Sequence, residues 1–151
     1  MTEMLDRAEE DYKICKQLET CLPDEFAVRG CVYHIQQANE KALKAYLSLN
    51  GIQPPFSHDI GRLVSMAQND NLDIPEETIR IANTLTLWES KSRYDPYIFF
   101  NKDEYSDAKT SYQKLAELIK SEMETYLSEE EKQNEDIDEP LDLTKDNSLK
   151  R

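Results

Sequence analysis

Four polar side chains, His34, Gln37, Lys41 and Lys44, recur at intervals of three and four residues within the stretch CVYHIQQANEKALKAYLSLNG. That spacing puts them along one side of an α-helix. Their types suit a defined chemistry. An imidazole takes up or releases a proton near neutral pH, ammonium groups meet phosphate oxygens, and a glutamine amide matches donor and acceptor edges. Ile35, Ala38 and Ala42 occupy the neighbouring strip, so the polar row borders a core face. Two readings stand side by side: a pocket wall that meets phosphate or base edges, or an outer face where Glu40 and Lys44 form an i,i+4 pair and His34 sits at the core boundary.

Two shorter groups carry similar chemistry. His58 and Asp59 are adjacent, and neighbours in a helix do not face each other, which argues against a catalytic dyad. They either orient a ligand or a neighbouring helix, or they support a helix start. Arg93-Tyr94-Asp95 offers a planar guanidinium whose fork suits a phosphate, with Tyr94 or Tyr97 placed to stack on a base. The plainer alternative is a turn whose tyrosines close the bundle or a dimer seam.

Helices must position these groups. MLDRAEEDYKICKQLETCL spaces Leu5, Ala8, Tyr12, Cys15 and Leu18 at helical intervals. Pro23 stops that helix, and Asp24 is an N-cap for a second one reaching Asn50, with Gly51 as its stop. The inner side of this second helix is Ala27, Cys31, Ile35, Ala38, Ala42, Ala45 and Leu49. Its alanines let a neighbour approach closely and predict the central helix of the bundle. Two prolines make IQPPFS a rigid connector. A short third helix, capped by Ser57, turns Ile60, Leu63, Val64 and Ala67 inward. A fourth begins at Pro75, followed by acidic residues that suit a helix start, and buries Ile81, Leu85 and Trp88. A fifth starts near Asp103 and buries Tyr105, Ala108, Tyr112, Leu115, Ile119, Met123 and Tyr126. The fold class is therefore all-α: five helices, four of them an antiparallel up-and-down bundle, with the short third helix across one end.

Composition narrows the function classes. The chain has 151 residues, one domain's worth, with 3 glycines, 6 prolines and a formal net charge of -13. Such a charge argues against loose, sequence-independent binding to nucleic acid, which needs basic side chains to displace counterions. It suits docking to a basic partner. Cys15, Cys21 and Cys31 form no metal-ligand spacing and read as free thiols of a reducing cytoplasm. No apolar run approaches the ~20 residues of a membrane span, and the expected localisation is cytoplasmic. From Ser128 the chain holds nine acidic and four basic side chains, and the expected organisation is a bundle over 1–127 and a disordered acidic tail over 128–151.

The stretch HIQQANEKALKAYLSLNGIQPPFSHDIGRL resembles the HEPN domain family. There a helix of the form H-x-Q-Q-A-x-E-K-x-L-K ends in glycine. A proline-bearing connector and a His-Asp pair follow. SRYDP resembles the family's Arg-Tyr-Pro turn, and YSDAKTSYQKLAELIKSEM resembles its last helix. The resemblance covers about residues 4–127. It implies a helical bundle, usually a homodimer, and a role in nucleotide or RNA chemistry, often beside a minimal nucleotidyltransferase, as in toxin–antitoxin-like or two-component systems. The expected ligand is a nucleotide or RNA, with no cofactor, and no metal is expected because the cysteines and histidines lack metal-ligand spacing. Many members are RNases that carry an arginine, four to six intervening residues and a histidine. Arg93 matches that arginine, but Ile98, Phe99 and Phe100 stand where the histidine would fall, and none of them transfers protons. The expectation is a non-catalytic nucleotide- or RNA-binding domain with a site drawn from Arg93, Tyr94, Lys41, Lys44, Gln37, His34, His58 and Asp59. The alternatives are an RNase that brings His34 or His58 to Arg93, and a pure protein-interaction module.

Overall fold

A computed structural model describes residues 2–91 and 101–138. Among the described residues five α-helices follow in order: α1 (Thr2–Leu18), α2 (Glu25–Leu49), α3 (Ile60–Asn69), α4 (Glu76–Lys91) and α5 (Lys102–Asp138), with a 3₁₀ turn at Glu19–Cys21 after α1. No strand occurs among the described residues. No helix there is long and apolar enough to cross a membrane.

Local chemistry sets the helix ends. The Asp24 carboxylate accepts from the N–H groups of Phe26 (2.9 Å) and Ala27 (3.3 Å), so it caps α2 as the sequence suggests. Gly51 then takes φ +77°, the left-handed conformation that closes a helix without a Cβ penalty. At α3 the cap is Asp59, which accepts from Arg62 N–H at 3.1 Å. Ser57 is not the cap. Its hydroxyl accepts from Asp59 N–H one turn too early and holds the connector instead. Asn101 caps α5 through the N–H groups of Asp103 and Glu104.

Paired residues give the topology of the compact body, residues 1–119. On α1 and α2 the pairs Asp11–Lys41, Asp11–His34 and Cys15–Cys31 run in opposite directions. On α1 and α5, Tyr12 stacks on Tyr112 at 4.8 Å, and Glu19 beyond the end of α1 takes the hydroxyl of Tyr105. On α4 and α5, Glu77–Lys114, Arg80–Asp107 and Thr84–Glu104 repeat the antiparallel pattern. The order α1, α2, α4, α5 is thus up-down-up-down, with α3 packed against α4 and α2.

The core forms where helical periodicity put it. Ala27, Cys31, Ile35, Ala38, Ala42 and Ala45 of α2 are buried, together with Ile60, Leu63, Val64, Ala67, Ile81, Leu85 and Trp88. Fourteen of the 25 residues of α2 are buried, which makes it the central helix. They include three polar side chains, Gln36, Asn39 and Glu40. Leu49, in the last turn before Gly51, is only half-buried.

A second unit begins at Lys120 within α5. Met123 is half-exposed and Tyr126 is 58% exposed, so the burial expected of Tyr126 does not occur. The helix runs past Ser128 to Asp138, where composition suggested disorder. Glutamate, lysine and glutamine are good helix formers, so SEEEKQNEDID can remain helical without a core. Residues 139–151 lie outside the described residues.

Candidate functional site

The polar strip of α2 is organised by two buried carboxylates. Asp11, on α1, is 6% exposed and faces α2. Its Oδ1 lies 2.7 Å from His34 Nδ1, and its Oδ2 accepts from Lys41 Nζ at 2.5 Å. Glu40, on α2 itself, is 4% exposed. Its Oε1 accepts from Gln36 Nε2 at 3.0 Å and lies 2.9 Å from His58 Nδ1, while its Oε2 accepts from Lys44 Nζ at 3.2 Å. Gln37 Nε2 donates to Gln36 Oε1 at 2.7 Å and joins the second group. A buried carboxylate without partners costs several kcal/mol. Each of these has an ammonium and an imidazole, so both oxygens are satisfied.

Five of the sequence-derived residues therefore gather here, in two clusters: His34 with Lys41, and Gln37, Lys44 and His58 around Glu40. Asp59 does not join them, because its carboxylate caps α3. Arg93, Tyr94 and the neighbouring Tyr97 lie outside the described residues. The pair Glu40–Lys44 forms as its spacing suggests, but not on a solvated face: Glu40 is buried and Lys44 only 15% exposed at its side chain. Asp11 and Gln36 went unrecognised in the sequence. Asp11 sits three residues after Ala8 and four before Cys15, a carboxylate within an apolar stripe, and that was the available signal.

The chemistry open to the two histidines differs. In each, a carboxylate holds Nδ1 and so directs Nε2 away from it. The His34 side chain is 24% exposed and packs edge-on against Tyr33 at 5.0 Å. The His58 side chain is 63% exposed. Among the described residues, no group of three or more histidine, cysteine, aspartate or glutamate side chains is placed to hold a metal ion.

One turn from Asp11, toward the C-terminal end of α1, the core holds two thiols. Cys15 Sγ lies 3.6 Å from the Cys31 carbonyl oxygen, and Cys31 Sγ lies 3.8 Å from that of Cys15. Burial pushes the Cys15 thiol well above its ordinary range and the Cys31 thiol up, so they are packing groups and not nucleophiles. Burial also pushes Tyr105 up, assisted by the neighbouring Cys15 and by its bond to Glu19.

A buried polar chain fixes α2 against α4 and α5. Thr78 Oγ1 lies 2.5 Å from Ser111 Oγ, and Ser111 donates to Asn39 Oδ1 at 2.6 Å. Asn39 Nδ2 donates to the carbonyls of Ile35 (2.9 Å) and Ala108 (3.0 Å). All three side chains are fully buried. Because Asn39 adjoins Glu40, this chain also sets the rotation of the polar strip about the α2 axis.

No curated protein and no solved structure matches the chain. The family model for the HEPN domain matches residues 1–126. That span contains α1 to α4, the whole Asp11 and Glu40 clusters and α5 as far as Tyr126. The chain therefore belongs to the HEPN domain family, a membership that points to nucleotide- or RNA-related function.

Proposed function

We propose that this HEPN domain binds a nucleotide or an RNA end without cleaving it, and that it acts as a homodimer with a minimal nucleotidyltransferase partner. The observation that carries the non-catalytic reading is the sequence after Arg93, where Ile98, Phe99 and Phe100 replace the histidine of RNase members. The ligand site comprises Arg93 and Tyr94 together with the α2 strip: Lys41, Lys44, Gln37 and His34, with His58 beside it. In this reading Asp59 positions α3 and does not touch the ligand.

The test is a thermal-shift panel of ATP, GTP, their monophosphates and a short RNA, on the wild type, Arg93→Ala and Lys41→Ala. A ligand at about a hundred times its dissociation constant adds roughly 2.7 kcal/mol to the folded state, or several degrees for a domain of this size. A shift with one ligand, lost in both variants, is the expected result. No shift with any ligand overturns the binding reading and leaves a protein-interaction module.

One observation favours a second reading. Asp11 holds His34 by Nδ1 at 2.7 Å, the arrangement that readies an imidazole for general acid–base work. In that case His34 or His58 acts with Arg93 in an RNase. Cleavage of RNA by nuclease-free protein, abolished by both Arg93→Ala and His34→Ala, would establish this reading and overturn the non-catalytic one.

A further inference from the structure

The second unit of the chain, from Lys120 within α5, carries a surface that the ligand site does not use. Tyr126 and Leu127 are 58% and 54% exposed, and Met123 lies one turn before them on the same side. At 100° per residue these three fall within one narrow stripe of the helix. Scattered exposed apolar residues need no explanation, whereas a stripe of large ones does.

The charges around this stripe are ordered. Glu122 and Glu129, seven residues apart, lie along one border, and Glu124 and Glu131, also seven apart, lie along the other, with Lys120 beside the second border one turn earlier and Glu130 closing the stripe after Leu127. Residues 120–138 hold eight acidic and two basic side chains. At 1.5 Å per residue the stretch is about 28 Å long, enough to pair with a partner helix over several turns. An apolar seam between two charged borders is how helices choose partners, with the borders setting the charge that the partner must carry.

We propose that this segment of α5 docks a basic amphipathic helix of a partner protein, whose apolar stripe covers Met123, Tyr126 and Leu127 and whose lysines or arginines meet the glutamate borders. Charge complementarity selects this occupant over the others. RNA and anionic membranes carry the same sign as the borders. A second copy of the segment is disfavoured, because each copy sets eight acidic against two basic side chains and the two would repel. The inference does not depend on nucleotide binding by the α2 strip.

The experiment uses the full chain and labelled synthetic peptides of one length in fluorescence anisotropy. One peptide has a leucine stripe bordered by lysine, a second has the same stripe bordered by glutamate, and a third has the same lysine content with glycine and serine in place of the stripe. The first alone binds, and less tightly as salt rises. The charge-preserving double variant Tyr126→Gln/Leu127→Gln, checked for unchanged helicity, weakens that binding at least about tenfold, the loss expected of central apolar anchors. Phe26→Gln, an exposed aromatic control elsewhere, leaves it unchanged. The proposal is overturned if the stripeless lysine peptide binds as tightly as the first, or if the double variant binds like the wild type. It is also overturned if the wild type sediments as a dimer that the double variant converts to monomer, since the stripe would then be covered by a second copy.

Discussion

Replacing Ser111 with alanine removes one hydroxyl from the molecule and strands two others' partners. In the wild type Ser111 donates to Asn39 Oδ1 and accepts from Thr78, so the variant leaves an acceptor and a donor unpaired. Both residues have zero exposure, so water cannot replace the lost bonds. A buried polar group left unsatisfied costs about 1–3 kcal/mol. Two of them cost roughly 2–6 kcal/mol, against which the better helix propensity of alanine returns only a few tenths. For a domain near 150 residues, each kcal/mol is worth about 2–4 °C in melting temperature, so the midpoint should fall by roughly 4–24 °C. Urea unfolding followed by circular dichroism measures the loss directly, with Ser106→Ala, exposed on the same helix, as the control. Thr78→Val should cost less in the Ser111→Ala background than in the wild type, because it removes a donor that is already stranded. A loss below about 1 kcal/mol for Ser111→Ala, or one equal to that of Ser106→Ala, would show that this chain does not hold the three helices in register.

Other outcomes follow from the same structure. Asp11→Ala should cost about 2 kcal/mol in urea unfolding, less than the 3–5 kcal/mol of a wholly buried pair, because His34 and Lys41 are each about a quarter exposed and can rehydrate. Gly51→Ala should cost about 1 kcal/mol, since φ +77° disfavours a Cβ even though nothing crowds the site. Cys21 is exposed while Cys15 and Cys31 are buried, so native protein should take up one equivalent of iodoacetamide by mass spectrometry and denatured protein three. Cys15, Cys31, Tyr105 and Tyr112 all have folded-state pKa values above their unfolded ones, chiefly through burial. The unfolded chain therefore loses protons first, and stability should fall as pH rises through 9.0 and then 10.0, the ordinary thiol and phenol values. A flat alkaline profile would mean that these groups are not buried.

The legible part of the sequence was apolar. Spacing alone located the four buried residues of α3, the three largest of α4 and six of the fourteen of α2, because a helix buries one stripe and its apolar period marks it. The polar organisation was hidden for a different reason. Asp11 lies 23 and 30 residues from His34 and Lys41, the two side chains that it holds, and Glu40 lies 18 residues from His58. Such pairings depend on how α1 and the connector pack against α2, which no local window contains. Even where a pair was visible, as for Glu40 and Lys44, its spacing said nothing of its burial. Tyr126 erred in the other direction: the helical period that places it beneath Met123 continues beyond the point where the first compact unit ends.

The double occupancy of Asp11 and Glu40 has a consequence for selectivity. No ammonium on the α2 strip is a bare charge waiting for a counterion. Lys41 already has Asp11, and Lys44 already has Glu40. In the proposed binding reading, an arriving oxyanion gains either lysine only as the internal carboxylate gives it up, so recognition would be an exchange reaction whose free energy is a difference between two ion pairs. A chloride, with one diffuse charge and no directed lone pairs, offers too little to win that exchange. A phosphate that also engages a glutamine amide or an imidazole offers more. In that reading the strip would act as a threshold, passing over single diffuse ions in favour of ligands with several matched contacts.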